Sequence, residues 1–254
     1  MGRIFFSLLI LFLALAEPLR GTLEEISKQD WTRIQAYKIP EGHPAKKKLD
    51  QICSKARVFA DLDALIAAGF DKAKPQHRTE IIVTRHPEIP GYVIKAYLDD
   101  QKWHSDNPEH YYWLKRVEGS RRIQRTIDEN NYGHLLKVPK KWIYQLPKKP
   151  AADPKEVERY FILVEEDMNI HSDRKSAQLW KTVATEELLT AMKVVLAKDM
   201  FFDCAKPANC PFSKDGKVAL VDTQSFDKKV VKFFKLNHVL SKPMRKFWRK
   251  ITDQ

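Results

Sequence analysis

The run Cys204-Ala205-Lys206-Pro207-Ala208-Asn209, followed after a short turn by Gly216-Lys217-Val218-Ala219-Leu220-Val221-Asp222, is the most informative part of this chain. It reads as a loop closing on Lys-Pro-x-Asn, a turn at Asp215-Gly216, and an apolar strand that stops on a carboxylate. An amide oxygen on a loop and a carboxylate at a strand end are hard oxygen donors, the kind a Mg²⁺ ion takes. Asn209 and Asp222 are therefore candidate metal ligands. Each also has a plainer role open to it, since an Asn side chain can hold a turn and an Asp can cap whatever follows a strand.

The surrounding composition sets the class. At 254 residues and 43% hydrophobic, the chain can bury a substantial core, which excludes a disordered protein. Residues 1 to 16 read as an export signal: Arg3 is the basic end, Ile4 to Leu15 an uncharged apolar run, and Ala14-Leu15-Ala16 a small-x-small cleavage site. A membrane anchor would need roughly 20 apolar residues. The expected product is secreted or periplasmic after cleavage near Ala16. A net charge of +12 makes it an attractor of anions, among them nucleotides, acidic lipid headgroups and acidic glycans. Its basic residues form no single stripe interleaved with aromatics, so nucleic acid is disfavoured as a partner.

Hydrophobic spacing divides the chain further. Residues 17 to 70 are mostly helical in pattern and form an N-terminal extension, with Trp31, Ile34 and Tyr37, then Leu49, Ile52 and Cys53, then Leu62, Leu65 and Ile66 recurring every three or four residues. Between 71 and 168, strand patterns at 80–84 and 91–98 flank a Pro-bounded turn and predict a hairpin. An amphipathic helix is expected over 110–131, bent or divided at Gly119, then strands at 135–138, 142–146 and 159–164. A single helix is expected over 176–198, with Leu179, Val183, Leu188, Leu189, Met192 and Leu196 on its buried stripe. Of the three cysteines, Cys204 and Cys210 are close enough to bridge, a link that the chain-entropy model credits with roughly 2 kcal/mol; buried free thiols are the alternative.

The order of a hairpin bearing a lysine, a helix, strands, an acidic segment, a long helix, a Lys-Pro-x-Asn loop and a strand ending in Asp resembles the protein-kinase-like superfamily. The resemblance implies an α+β fold, with a small antiparallel-sheet lobe over 71–168 and a reduced, mainly helical lobe over 169–226. It also implies ATP and Mg²⁺ as cofactors. Lys95, in Val93-Ile94-Lys95, looks like the strand lysine that binds nucleotide phosphates, and Glu118 like its ion-pair partner on the next helix, with Glu109 and Asp128 as rivals. The segment Val164-Glu165-Glu166-Asp167-Met168 resembles the hinge whose backbone meets an adenine.

Departures from the family are as informative. Phe201-Phe202-Asp203-Cys204 stands where His-Arg-Asp is expected, so the carboxylate that would orient an acceptor hydroxyl, Asp203, is one residue out of register. Asp222-Thr223-Gln224 replaces Asp-Phe-Gly, no Gly-rich loop precedes Lys95, and no Ala-Pro-Glu follows Asp222. These losses point to a nucleotide- or metal-binding module, or a non-catalytic interaction module, with an eroded catalytic loop. The competing expectations are an active Mg-ATP-dependent phosphotransferase on a small molecule, sugar or protein, and a basic membrane-surface or host-interaction protein that uses the fold only as a scaffold. Residues 227 to 254 form a basic amphipathic tail, suited either to an anionic membrane surface or protein partner, or to packing its apolar side on the domain.

Overall fold

The computed structural model describes residues 26–71, 81–102, 105–147 and 159–253. The expected export signal lies outside them. Within them the chain is mixed α+β, with seven α-helices and a four-stranded antiparallel sheet. Three short helices come first: α1 (Lys28–Tyr37), α2 (Pro44–Cys53) and α3 (Leu62–Ala67). Each starts on a side chain that accepts a backbone N–H of its first turn, from Ser27, His43 and Asp61 respectively.

The expected hairpin forms as β1 (Ile82–Thr84) and β2 (Tyr92–Ala96). Helix α4 (Glu109–Glu129) follows, then β3 (Leu136–Lys137), β4 (Lys141–Gln145) and β5 (Phe161–Glu166). The main sheet runs β1-β2-β5-β4, with every pair antiparallel. Because side chains alternate across a strand, the register sorts them cleanly. Ile94, Ala96, Tyr144, Ile162 and Val164 join Leu49, Phe59, Leu65 and Phe70 in a core under α2 and α3. Ile143, Phe161 and Leu163 face the other way, into a core with Ile34, Trp113, Leu114 and Val117 of α1 and α4. The helices expected as an N-terminal extension thus supply much of the apolar cover of the sheet. β5 runs two residues beyond the expected strand end, which brings Glu165 into the sheet.

α4 is not divided at Gly119. The glycine allows a close approach instead: a Cβ there would lie 1.7 Å from the Thr223 carbonyl oxygen, so the helix backbone lies directly against the segment after Asp222. The Thr223 hydroxyl donates to the Arg116 carbonyl at 2.6 Å in the same contact.

The helix expected over 176–198 is two helices, α5 (Asp173–Thr182) and α6 (Glu186–Lys198). Thr185 breaks it: its hydroxyl accepts from the Leu188 N–H as an N-cap, with Glu186 and Glu187 in the first turn where the helix dipole favours acids. Val183 falls in the break and is exposed, whereas Leu188, Leu189, Met192 and Leu196 are buried as expected. β6 (Val218–Ala219) pairs in parallel with β3. The chain closes with α7 (Lys242–Thr252), whose Trp248 is fully buried and whose Met244, Phe247 and Ile251 pack on the core of α4 and α6. The apolar side of α7 is therefore taken up inside the protein and its basic side faces out, whereas Val230 and Phe234, earlier in the tail, are exposed. Among the described residues, no helix is long and apolar enough to cross a membrane.

Candidate functional site

A cleft of about 220 Å³ opens between the sheet and the loop-and-strand unit quoted at the outset. Lys95 enters it from β2, Arg116 from α4, Glu165 to Met168 from the end of β5, Asn209 from the loop, and Asp222 from just beyond β6. Three of the residues singled out in the sequence, Lys95, Asn209 and Asp222, thus come together although they lie far apart along the chain.

Sheet register explains one wall. Lys95, Lys141 and Glu165 lie on the α4-facing side of the sheet, with Glu165 directly opposite Lys141 and one diagonal step from Lys95. The Lys95 Nζ meets Glu165 Oε1 at 2.8 Å, and Lys141 Nζ lies 3.2 Å from Oε2. Lys141 also donates to the Val221 carbonyl at 2.9 Å, which ties the sheet to the segment beside Asp222; β6 ends at Ala219, three residues short of the expected strand end. Burial pushes the Lys141 ammonium down to about 8, against the pull of Glu165, with Lys95 and Arg116 adding repulsion. Burial pushes the Glu165 carboxyl the opposite way, but Lys141 and Lys95 outweigh it and hold the group below its ordinary value.

The expected pairing of Lys95 with Glu118 is not made. Glu118 accepts from Arg33 of α1, at 2.9 Å from Nε and 2.7 Å from Nη2. Its rivals are also engaged elsewhere. Glu109 is buried and accepts the N–H groups of Tyr160 and Phe161, each at 2.7 Å, while Asp128 accepts from Gln124. The carboxylate beside Lys95 comes from the neighbouring strand, not from the helix.

α4 faces the cleft with a cation instead. Arg116 Nη1 donates to Asp222 Oδ1 at 2.8 Å. The arginine side chain is only 5% exposed, whereas Asp222 keeps 32%. Burial pushes the Asp222 carboxyl up, but Arg116, Lys95 and Lys141 together hold it below the usual carboxylate range.

The loop is braced from within. The Asn209 Nδ2 donates to the Asp203 carbonyl at 3.0 Å, so the amide oxygen is the part of Asn209 left for a cation. Cys204, at the position where the family pattern puts Asp, points inward: its thiol is buried and donates to the Asp222 carbonyl at 2.8 Å. Cys210 donates to the Lys206 carbonyl at 3.2 Å. Both are free thiols, not a disulfide, and burial raises each well above an ordinary thiol. Asp203 is half-buried and does not line the cleft.

In the segment expected to act as a hinge, the Glu166 N–H donates to the Lys140 carbonyl and the Asp167 N–H to that of Gly91, at 3.0 and 2.8 Å. Those two donors are therefore not available to a ligand. Among the described residues, no group of three or more His, Cys, Asp or Glu side chains gathers as for a metal. Asn209 and Asp222 offer two hard oxygens, fewer than the ligand set a divalent cation takes.

Sequence reasoning passed over Arg116 and Lys141. The signal for Arg116 lay in its spacing: it shares the stripe of Trp113, Val117, Ser120 and Ile123, so a charge sits on the buried face of the helix. Lys141 alternates with Ile143 on the inner side of β4 in the same way. Comparison of the chain with protein-family models and with curated proteins gave no match.

Proposed function

We propose that the chain is a compact protein-kinase-like protein whose cleft binds a nucleotide polyphosphate together with a divalent cation, and whose catalytic loop is eroded. In this reading Lys95 neutralises phosphate, Asn209 and Asp222 hold the cation, and the Glu165–Met168 segment borders the base. The observation that carries it is the convergence of Lys95, Asn209 and Asp222 on one cleft from three separate elements. Loss of catalysis is supported by Asp203 standing outside the cleft while a buried thiol fills the expected position of the carboxylate. Catalytic geometry is lost with displacements of about 1 Å, and a register slip moves a side chain much further.

The test is a thermal-shift titration with ATP and Mg²⁺ on the wild-type protein, Lys95→Met and Asp222→Ala. Ligand at a hundred times its Kd stabilises by about 2.7 kcal/mol, a clear rise in Tm. The expected outcome is a rise in the wild type, its loss in both variants, and no phosphate transfer. Absence of any rise sinks the reading, and ATP turnover that disappears in Asp203→Ala replaces it with an active phosphotransferase.

A further inference from the structure

One cation in the wall of the cleft, Arg116, carries a buried donor that meets no acceptor. Lys95 and Lys141 share Glu165, and Arg116 is paired with Asp222. Arg116 meets Asp222 through Nη1, while its Nε is buried and makes no hydrogen bond. A buried guanidinium N–H without an acceptor is costly, and an unexplained one in a cleft wall marks a place for a ligand oxygen. The guanidinium presents its donors in a planar fork that matches two oxygens of one phosphoryl group. Asp222, meanwhile, cannot serve a cation fully while Arg116 occupies one of its oxygens.

We propose that Arg116 is a phosphate-binding residue and that its ion pair with Asp222 is a latch. A phosphoryl group of an incoming polyphosphate draws the guanidinium off Asp222, so the carboxylate becomes free for a divalent cation only when the anion is present. Cation and anion then bind cooperatively, and the empty site binds neither strongly. This inference rests on the proposed polyphosphate-binding reading of the cleft, but it concerns residues that the kinase-like pattern does not assign.

A double-mutant cycle separates the two. Tripolyphosphate binding is measured by calorimetry in chelator-containing, metal-free buffer for the wild type, Asp222→Asn, Arg116→Gln and the double variant. Freeing Arg116 from Asp222 tightens binding by roughly tenfold, and removing Arg116 weakens it by at least as much, as expected for one charge-assisted hydrogen bond. The double variant matches Arg116→Gln, since the latch has nothing left to release. With no anion present, Mn²⁺ followed by electron paramagnetic resonance binds Arg116→Gln more tightly than the wild type. If Arg116→Gln does not fold, Arg116→Lys takes its place and loses the same coupling, because the ammonium lacks the planar fork.

A gain from Asp222→Asn that persists without Arg116, equal Mn²⁺ affinities, or no tripolyphosphate binding by any of the four proteins overturns the latch. A cycle that behaves as expected in a protein that ATP and Mg²⁺ do not stabilise sinks the nucleotide reading and leaves the latch standing. The reverse result sinks the latch alone.

Discussion

Glu109 shows how a single residue can be misread from its neighbours in sequence. It sits at the start of an amphipathic helix, where an acid suits the helix dipole, yet it is buried and caps the first N–H groups of β5. Burial raises its carboxyl to about 8, against the Phe161 N–H and the charges of Arg159 and Arg57. The folded protein therefore holds a proton that the unfolded chain releases from about pH 4.5 upward. With the unfolded state binding fewer protons, the stability from this group is complete below pH 4.5 and is lost as pH rises through 8. Glu109→Gln keeps the accepting oxygen and removes the titration. The Tm of the wild type relative to this variant is expected to fall between pH 4.5 and 8 and then level off, as read by calorimetry. A difference that stays flat across that range would show that Glu109 is not protonated in the fold.

At the scale of elements, the approach of α4 to the segment after β6 sets the cleft. Gly119 permits that approach, the Thr223 hydroxyl fastens it, and Arg116 reaches Asp222 from the same stretch of helix. Thr223 has a structural reason: at this backbone separation, a small side chain that bonds the helix carbonyl fits. Gly119→Ala places a methyl group against backbone that cannot turn aside, and is expected to cost roughly 3 kcal/mol, the upper part of the usual overpacking range. Urea denaturation checks this. A loss below 0.5 kcal/mol, within the range of ordinary surface changes, would mean that the helix and the segment are not held together. The glycine's role was hidden in sequence because an isolated helix glycine reads as a bend, and only the partner backbone distinguishes a bend from a contact.

For the molecule as a whole, the last helix of the tail, α7, belongs to the core. Trp248 is fully buried, its ring meets Phe233 edge-on at 5.4 Å, and its Nε1 donates to the Phe233 carbonyl at 2.9 Å. Trp248→Ala is expected to cost about 3–5 kcal/mol, the range for deleting a large buried aromatic. Chemical denaturation followed by circular dichroism measures it. A near-neutral result would mean that the tail is detachable and its apolar side free for a partner. The remaining basic surface is a separate matter, since no carboxylate lies between Asp227 and Asp253 and the lysines there are mostly exposed.

Periodicity in the chain was enough to predict most of the helices and strands, among them the β1–β2 hairpin and α4. These are local matters, decided by alternation, caps and turn residues within a few positions. It missed the break between α5 and α6, because an apolar stripe can run across a capped interruption. The partner of Lys95, the cation on Asp222 and the inward turn of Cys204 were decided by tertiary structure alone. Each depends on which side chain from a distant element arrives within about 3 Å, the reach of a hydrogen bond or ion pair. Spacing along one strand or helix carries no record of that distance.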